Sequence, residues 1–430
     1  MSRRIAYCTF GCRLNQYDTE TIRTLLERDG GWHTVPFKEA ADVYVVNTCS
    51  VTARADASAR KAIRRIHAER PDARVVVTGC YAQRAPDEIA ELPGVSLIVG
   101  AADRARIVEE VAGIEAGDLR TAVSPVTEAR TFLDVPITKM MERSRAFVKV
   151  QEGCNKACSF CIVPQTRGGS RSRRPESVLA QVRGLVERGY AEIVLTGVDV
   201  GDYGRDLAET RPLLPELMRR VLAVPGLERL RLSSIEPSTV TDELIELMAR
   251  EEKFARHFHI PFQSGSDAVL ERMNRQYTIE AFAELLERIA ARVPEAGIGT
   301  DVICGFPGET DEDFQQTFHR LVELPFTYVH PFTYSVRPGS AAETLGDPVP
   351  GDVKKRRTRS LKRLSRDKNR AFREAHVGRT MAVLLEEDAG WTDNYLRVEV
   401  SGAAGRRGIV PARITGLTDD GLTGEPAPGA

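Results

Sequence analysis

Three thiols are spaced as Cys154-x-x-x-Cys158-x-x-Cys161. Thiolates select zinc, copper(I) or iron–sulfur clusters, so side chains of this type at this spacing can wrap one small soft-metal centre. Structural zinc takes four ligands, commonly as two C-x-x-C pairs, and here three thiols stand without a nearby fourth Cys or His. A 4Fe–4S centre held by three cysteines, one short of the usual complement, leaves one iron open to a small molecule. The triplet therefore favours a cluster over structural zinc. Three more cysteines each follow a β-rich run. Cys12 follows the first such run, Cys49 follows Val-Tyr-Val-Val-Asn-Thr, and Cys80 follows Val-Val-Val-Thr-Gly. In an open parallel sheet the carboxyl ends of neighbouring strands share one edge, where ligands bind, so these residues can converge despite their separation in sequence. Cys8 and Cys304 complete the eight.

The elements that position these thiols follow from the hydrophobic pattern. Over residues 1–112, strands are expected at Ile5–Phe10, Val43–Asn47, Val75–Thr78 and Ser96–Val99, with amphipathic helices such as Thr19–Arg28 and Ala55–Glu69 between them. That alternation predicts a three-layer α/β domain with a parallel sheet. Residues 113–143 are weakly patterned and read as a linker. From 144 to 350 six strands are expected: Ala146–Val150, Glu192–Thr196, Arg229–Ser233, His257–Phe262, Thr300–Cys304 and Thr327–Phe332. With the intervening helical patterns they predict a partial (βα)6 barrel of TIM type, whose functional groups lie at strand C-termini. Residues 351–375 form a basic helical connector; 354–373 hold eleven Lys or Arg against one acid, Asp367, a local balance of +10. Residues 376–430 show short alternating runs and Gly- and Asp-rich turns, the pattern of a small β-barrel.

Composition removes other classes. A 42% hydrophobic and 28% charged chain of 430 residues has enough apolar material for real cores and is no disordered segment. No uncharged apolar run approaches the roughly 18 residues of a membrane helix, and Arg13, Asn15 and Gln16 interrupt any signal-like start. A cytoplasmic chain, where clustered thiols mean metal or catalysis rather than disulfides, is the expectation. Sixty basic residues against sixty-one acidic give a formal charge of −1, an average that conceals the basic run.

The cysteine spacing and six βα units resemble the radical S-adenosylmethionine (SAM) superfamily. More narrowly, the chain resembles the methylthiotransferase family in Gly153-Cys-Asn-Lys-Ala-Cys-Ser-Phe-Cys-Ile-Val-Pro164, Leu195-Thr-Gly197, His259-Ile-Pro-Phe-Gln-Ser-Gly-Ser-Asp267, Arg272-Met-Asn-Arg275 and Gly305-Phe-Pro-Gly-Glu-Thr310. Gly11-Cys12, Asn47-Thr-Cys49 and Gly79-Cys80 match that family's second cluster site. Within it, Gly11-Cys-Arg-Leu-Asn-Gln-Tyr17, Arg171-Ser-Arg173 and Gly390-Trp-Thr-Asp-Asn-Tyr395 are most similar to the threonylcarbamoyladenosine tRNA methylthiotransferases. The resemblance implies two 4Fe–4S clusters. One, on Cys154, Cys158 and Cys161, chelates SAM; an auxiliary one, on Cys12, Cys49 and Cys80, carries the sulfur. It also implies an RNA-binding TRAM domain at the C-terminus. The reaction so implied replaces the C2 hydrogen of N6-threonylcarbamoyladenosine at tRNA position 37 by a methylthio group. That bond offers side chains neither acidity nor a leaving group, so cofactors carry the radical chemistry.

Further residues enter by position and resemblance. Phe160, Thr196, Gly197, Ser234, Glu236 and Gln263 are SAM-pocket candidates; core packing for Phe160, or loop capping for the others, is the plain alternative. Arg167, Arg171 and Arg173 flank the cluster loop and are expected to meet the RNA backbone or the substrate's carboxylate. Lys354, Lys355, Arg356 and Arg357 of the basic run, with Tyr395 and Arg397, complete the RNA candidates. His259, among apolar neighbours, reads as a satisfied core histidine, Cys304 as a core thiol, and Thr310-Asp-Glu-Asp313 as a helix cap. Cys8 either points into the sheet or lies near the auxiliary site as a spare thiol. The expected partners are the tRNA anticodon loop, an electron donor and a sulfur source, with no membrane, and a monomer is the expected state. The alternatives are a sibling acting on isopentenyladenosine or on an aspartate of a ribosomal protein, and a non-catalytic metal-containing RNA-binding protein.

Overall fold

Short runs of Val and Ile, too apolar to face water on either side, make the central strands of the N-terminal sheet; every residue of Val43–Thr48 is buried. The computed structural model describes residues 3–114, 117–140, 144–207, 213–403 and 405–427. Parts of the expected segments (1–2, 115–116, 141–143, 208–212, 404 and 428–430) lie outside the described residues. The order is β1 (Arg3–Thr9), α1 (Arg13–Arg28), β2 (Trp32–Thr34), β3 (Val43–Thr48), α2 (Ala53–Glu69), β4 (Arg74–Gly79), α3 (Cys80–Arg84), α4 (Pro86–Ala90), β5 (Val95–Val99), α5 (Ile107–Ala112) and β6 (Arg120–Ala122). The sheet runs β2-β1-β3-β4-β5-β6 with parallel pairings. Alternate residues face opposite layers, as the pleat requires. Tyr44, Val46, Val75 and Val77 pack with Ala59, Ile63 and Ile66 of α2. Val43, Val45 and Val76 pack with Ile22, Leu25 and Leu26 of α1 and Ile107 and Val111 of α5. The three layers follow.

The segment 113–143, expected as a linker, carries β6 and buries Val126, Val135, Ile137 and Met140. A three-residue edge strand is too short to leave a periodic signal, and β2 escapes the sequence reading for the same reason.

The second sheet system comprises β7 (Arg145–Lys149), β8 (Gln151–Glu152), α6 (Val163–Arg167), β9 (Arg171–Ser172), α7 (Pro175–Val186), β10 (Glu192–Thr196), α8 (Leu214–Leu222), β11 (Arg229–Leu232), α9 (Asp242–Arg250), β12 (His257–His259), α10 (Asp267–Arg272), α11 (Ile279–Arg292), β13 (Gly297–Cys304), α12 (Asp311–Glu323) and β14 (Tyr328–Thr333). The six expected strands occur in chain order as two three-stranded sheets, β7-β10-β11 and β12-β13-β14. A single parallel bridge, Leu230 to Phe254, links the end of the first to the chain entering β12. Thr310 and Asp313 form the expected capping box on α12.

The C-terminal part is α13 (Gly351–Glu374) followed by β15 (Thr380–Glu386), β16 (Ala389–Thr392), β17 (Arg397–Val400), β18 (Gly408–Leu417) and β19 (Leu422–Pro426). These strands close a barrel in the order β15-β16-β17-β19-β18 around Val383, Leu385, Val398, Ala412, Ile414 and Leu422. Tyr395 adopts φ +70° in the turn between β16 and β17.

The chain divides into two compact units that are not continuous in sequence. The first takes the described residues of 1–141, 149–177 and 335–343; the second takes those of 142–148, 178–334 and 344–430. The loop bearing Cys154, Cys158 and Cys161 thus belongs to the same unit as the N-terminal sheet. No described helix is long and apolar enough to cross a membrane.

Candidate active site

In the first unit, Cys12 is the N-cap of α1, Cys49 follows β3, and Cys80 opens α3 directly after β4. The strands β1, β3 and β4 are adjacent, so their thiol-bearing ends share one sheet edge. Two glycines permit the close approach. Gly11 has φ +99°, and a Cβ there would fall 2.6 Å from Cys49 Cβ and 2.9 Å from its Sγ. Gly79 has φ +96°, and its Cβ would meet the Thr48 carbonyl oxygen at 2.3 Å. Left-handed backbone and contact this tight leave glycine as the residue that fits. A polar lattice holds the edge. Asn15 Nδ2 donates to the carbonyls of Phe10 (2.7 Å) and Thr48 (3.0 Å), and Asn47 Nδ2 donates to that of Asn15 (2.8 Å). Thr48 Oγ1 donates to the Thr78 carbonyl at 2.6 Å. Burial pushes the Cys49 thiol up to about 12, against a lowering contact from the Val51 backbone. Without a cation it stays protonated, and metal binding would release that proton.

The second triplet sits in a loop clamped at its base. β8 and β9 pair antiparallel, Gln151 opposite Ser172 and Glu152 opposite Arg171. Gly153, at φ +75°, would place a Cβ 1.9 Å from the Gly169 carbonyl oxygen. The Cys154 N–H donates to the Gly168 carbonyl at 3.0 Å, and the Cys161 N–H to that of Cys158 at 3.0 Å. The backbone N–H groups of Lys156 and Val163 point at the sulfurs of Cys154 and Cys161, each at 3.4 Å, an arrangement that favours thiolate charge. All three cysteines are half-buried, as is Phe160. Among the described residues, no group of three His, Cys, Asp or Glu side chains is gathered as a single metal ion requires.

The arginines beside this loop are not surface groups. Arg167, Arg171 and Arg173, expected to reach RNA or a substrate carboxylate, are all buried. Arg167 donates to Glu152 (2.5 Å), Asn15 Oδ1 (2.6 Å) and Asp18 (3.1 Å). Arg171 donates to the carbonyls of Gly169 and Arg167, each at 2.9 Å. Arg173 pairs with Asp134 at 2.6 Å and donates to Tyr17 Oη at 3.0 Å. Buried polar groups are kept only with partners, and these arginines spend their donors inside the unit. Lys149 joins Asp18 (2.6 Å) and Glu152; Arg104 joins Asp18 and, at 3.0 Å, Glu152. Burial alone would raise the Asp18 and Glu152 carboxyls, but attraction to Arg104, Lys149 and Arg167 holds both below the usual carboxylate range. Sequence reasoning missed Asn15, Asp18, Asn47, Arg104, Lys149 and Glu152. The available signal was charge in apolar surroundings: Asp18 on the inner side of α1, and Lys149 and Glu152 at the end of a buried strand.

The other SAM-pocket candidates belong to the second unit. Thr196 ends β10, buried, with half-buried Gly197 next to it. Glu236 pairs with Arg275 at 2.5 Å. Gln263 has φ +62°, a left-handed conformation uncommon outside glycine, while its N–H and carbonyl bridge to Asp301 and Ile303 of β13 (2.8 and 2.9 Å). Ser234 Oγ lies 2.9 Å from His259 Nδ1, and His259 Nε2 lies 3.3 Å from Asp301. His259 is therefore satisfied at both nitrogens. Cys304 is buried, with its thiol pushed up to about 12 by burial. Cys8 is half-buried in β1, raised to about 11 by burial.

The RNA candidates divide sharply. Lys355 and Arg356 are exposed, and the apolar stem of half-buried Lys354 packs over Gly305. Arg357, expected to contact RNA, is buried and paired with Glu309 (2.5 Å) and Asp311 (2.7 Å), so it fixes α13 to the start of α12. Tyr395 is likewise redirected. Its ring stacks on His257 (4.4 Å) and Trp391 (4.7 Å), with the Arg231 guanidinium 5.3 Å from its centroid. Arg397 is half-buried and ion-paired to Glu399 (3.1 Å) and Asp420 (3.3 Å).

Residues 148–321 match the Radical SAM superfamily, and residues 4–100 match Uncharacterized protein family UPF0004. The chain is 40% identical over 424 residues to the threonylcarbamoyladenosine tRNA methylthiotransferase MtaB of Bacillus subtilis, covering 95% of this chain and 93% of that protein. It is 36% identical over 436 residues to a tRNA-2-methylthio-N(6)-dimethylallyladenosine synthase of Cereibacter sphaeroides, covering 99% and 98%. Among solved structures, the radical S-adenosylmethionine methyltransferase TsrM of Kitasatospora setae superposes with a TM-score of 0.58 at 20% identity, covering 80% of this chain and 77% of that one, a likeness of fold. With near-complete coverage of relatives at this identity, the chain belongs to the radical SAM tRNA methylthiotransferase family.

Proposed function

We propose that this protein converts N6-threonylcarbamoyladenosine at tRNA position 37 into its 2-methylthio derivative. The observation that carries the reading is the presence of two separate three-thiol sets in one compact unit, each at a glycine-shaped strand end. The substrate assignment is supported by the names of relatives that are 40% identical over more than nine-tenths of the chain. Radical SAM methylthiotransferases work with SAM and two 4Fe–4S clusters, which supply the electron, methyl, sulfur and hydrogen-abstraction chemistry that no side chain offers. The residues present fit such groups: thiols are the ligand type iron–sulfur clusters take, and glycines at 11, 79 and 153 let the thiol-bearing segments pack closely on their neighbours.

In this reading Cys154, Cys158 and Cys161 hold the cluster that binds SAM, leaving one iron open to it. Cys12, Cys49 and Cys80 hold the auxiliary cluster. Phe160, Thr196, Gly197, Ser234, Glu236 and Gln263 orient SAM. The exposed face of α13, with Lys355 and Arg356, meets tRNA phosphates, while base identity comes from the unstacked anticodon-loop nucleotide. Turnover draws on an electron donor and a sulfur source, and the proposed place of action is the cytoplasm.

The relatives that carry the dimethylallyladenosine name sustain a second reading, with the isopentenyl-type base as substrate. One experiment separates the two. Anaerobically reconstituted protein, SAM, reductant and sulfide are incubated with tRNA bearing either modification, and the nucleosides are analysed by mass spectrometry. A methylthio product from the threonylcarbamoyl base supports the proposal; product from the isopentenyl base alone overturns it.

A further inference from the structure

Asp18, Arg104, Lys149, Glu152 and Arg167 form one buried ionic group in the first unit, with no member's side chain more than 6% exposed. Two carboxylates there face three cations. Both carboxyls are held ionised, so the group has one positive charge more than it neutralises. Buried charge is costly unless it is compensated, and among the described residues no further carboxylate joins the group. The surplus has a direction. Arg167 ends α6, α6 packs on α3, and α3 begins with Cys80. Asn15, which Arg167 grips at 2.6 Å, also donates to the carbonyl of Thr48, the residue before Cys49.

We propose that this surplus is the built-in counter-charge of the auxiliary cluster, and that Arg167 delivers it. A cluster on three thiolates is an anion, and one-electron reduction makes it more negative. A fixed cation beside it favours the reduced form, since net charge is among the properties that set cluster potentials. Arg167 is thus a charge-compensating residue, joined through Asn15 to the edge that carries the ligands. This rests on the assignment of Cys12, Cys49 and Cys80 as the auxiliary ligands.

The test uses the full chain carrying Cys154→Ala, Cys158→Ala and Cys161→Ala, so that only the auxiliary set can take up iron. After anaerobic reconstitution with iron and sulfide, metal content is measured and the cluster is titrated with dithionite under electron paramagnetic resonance. Arg167→Gln in this background is expected to lower the reduced-to-oxidised ratio at fixed potential about tenfold, a negative shift of about 59 mV for one electron. Arg167→Lys, which keeps the charge, stays close to the parent. Glu152→Gln adds net positive charge and moves the ratio the opposite way. An unmoved potential in Arg167→Gln, or a Glu152→Gln shift of the same sign, overturns the proposal. If Arg167→Gln fails to fold or to hold iron, Glu152→Gln decides: an upward shift supports the proposal and no shift overturns it. A parent that takes up no iron overturns the ligand assignment and the proposal with it, whereas about four irons with an unmoved potential overturns the proposal alone.

Discussion

The basic helix offers the sharpest separation of surface from interior. Of the eleven Lys and Arg in 354–373, Arg357 and Arg373 are buried, Lys354 and Lys368 are half-buried, and Lys355, Arg356, Arg359, Lys362, Arg363, Arg366 and Arg370 are exposed. Lys355, Arg359 and Lys362 are spaced four and three apart and so share a helix face. The perturbation is the triple change Lys355→Gln, Arg359→Gln and Lys362→Gln. Each phosphate contact on single-stranded nucleic acid contributes roughly 0.7 to the slope of log affinity against log salt. Loss of three contacts therefore lowers the slope by about 2, and weakens binding roughly 100-fold at about 0.1 M salt relative to a 1 M reference. The control is Arg357→Gln, which deletes a charge of the same run three residues or fewer from two of these positions. Its guanidinium serves Glu309 and Asp311, so the slope should stay at the parent value. Breaking that buried pair should instead destabilise the protein by about 3 kcal/mol or more. Fluorescence anisotropy of a labelled anticodon stem-loop from about 50 to 200 mM salt, with thermal unfolding in parallel, reads both quantities. A triple variant with the parent slope, or an Arg357→Gln variant whose slope falls by as much as one exposed contact, would refute the reasoning.

Two further outcomes are expected. Gly79→Ala puts a Cβ 2.3 Å from the Thr48 carbonyl oxygen at φ +96°, beside Cys80, and should cut iron from about eight to about four per chain. Gly308→Ala, also at positive φ but with its nearest neighbour 3.4 Å away, should retain about eight irons; equal iron contents would contradict the cradle. Glu192, buried between Arg231 and Arg229, has its carboxyl lowered from 4.5 to about 2: burial, the largest single influence, opposes ionisation, but the charge and hydrogen bond of Arg231 with the charges of Arg145 and Arg229 together outweigh it. A depressed carboxyl contributes stability above the unfolded pKa and loses it as pH falls through the folded one. Roughly 3 kcal/mol should therefore disappear between about pH 4.5 and pH 2. In thermal unfolding the gap between parent and Glu192→Gln should close over that window, and a gap that stays constant would count against the pairing.

What was legible in the sequence was whatever leaves a local signature. Continuous runs of Val, Leu and Ile placed β3, β4 and β5, and Cys12, Cys49 and Cys80 could each be assigned to a strand end because each follows a β-rich run. The loop of Cys154 was legible from spacing alone. β2 and β6 were not, since three residues at a sheet edge show no period. The arginines failed for a different reason. The sequence places Arg167 in a basic stretch beside a cluster loop, whereas its partners Asn15 and Asp18 lie 152 and 149 residues away. Tyr395 has long-range partners too: an aromatic residue in a small β-barrel suits RNA stacking, and the structure shows its half-buried ring, at a left-handed backbone position, stacked on Trp391 and His257.

These reassignments bear on how one chain of nearly zero net charge can act on RNA. Formal counting treats every guanidinium alike, yet burial sorts them into groups with different chemistry. Arg229 and Arg231 straddle Glu192 and donate to carbonyls of Ala382, Trp391, Thr392 and Asp393, fastening the β-barrel within the second unit. Arg167 is held by Glu152, Asn15 and Asp18 in the unit that carries both thiol sets. Within α13, the outward cations are the ones placed to release counterions from a phosphate backbone, because a cation already paired in the interior has no exposed field to offer. Affinity for tRNA should therefore track a short exposed stripe rather than the +10 of the whole run, while deletion of the buried arginines should surface as lost stability or a shifted cluster potential. The three measurements respond to different residues of the same type, which is why charge alone could suggest a region for RNA contact but not its contacts.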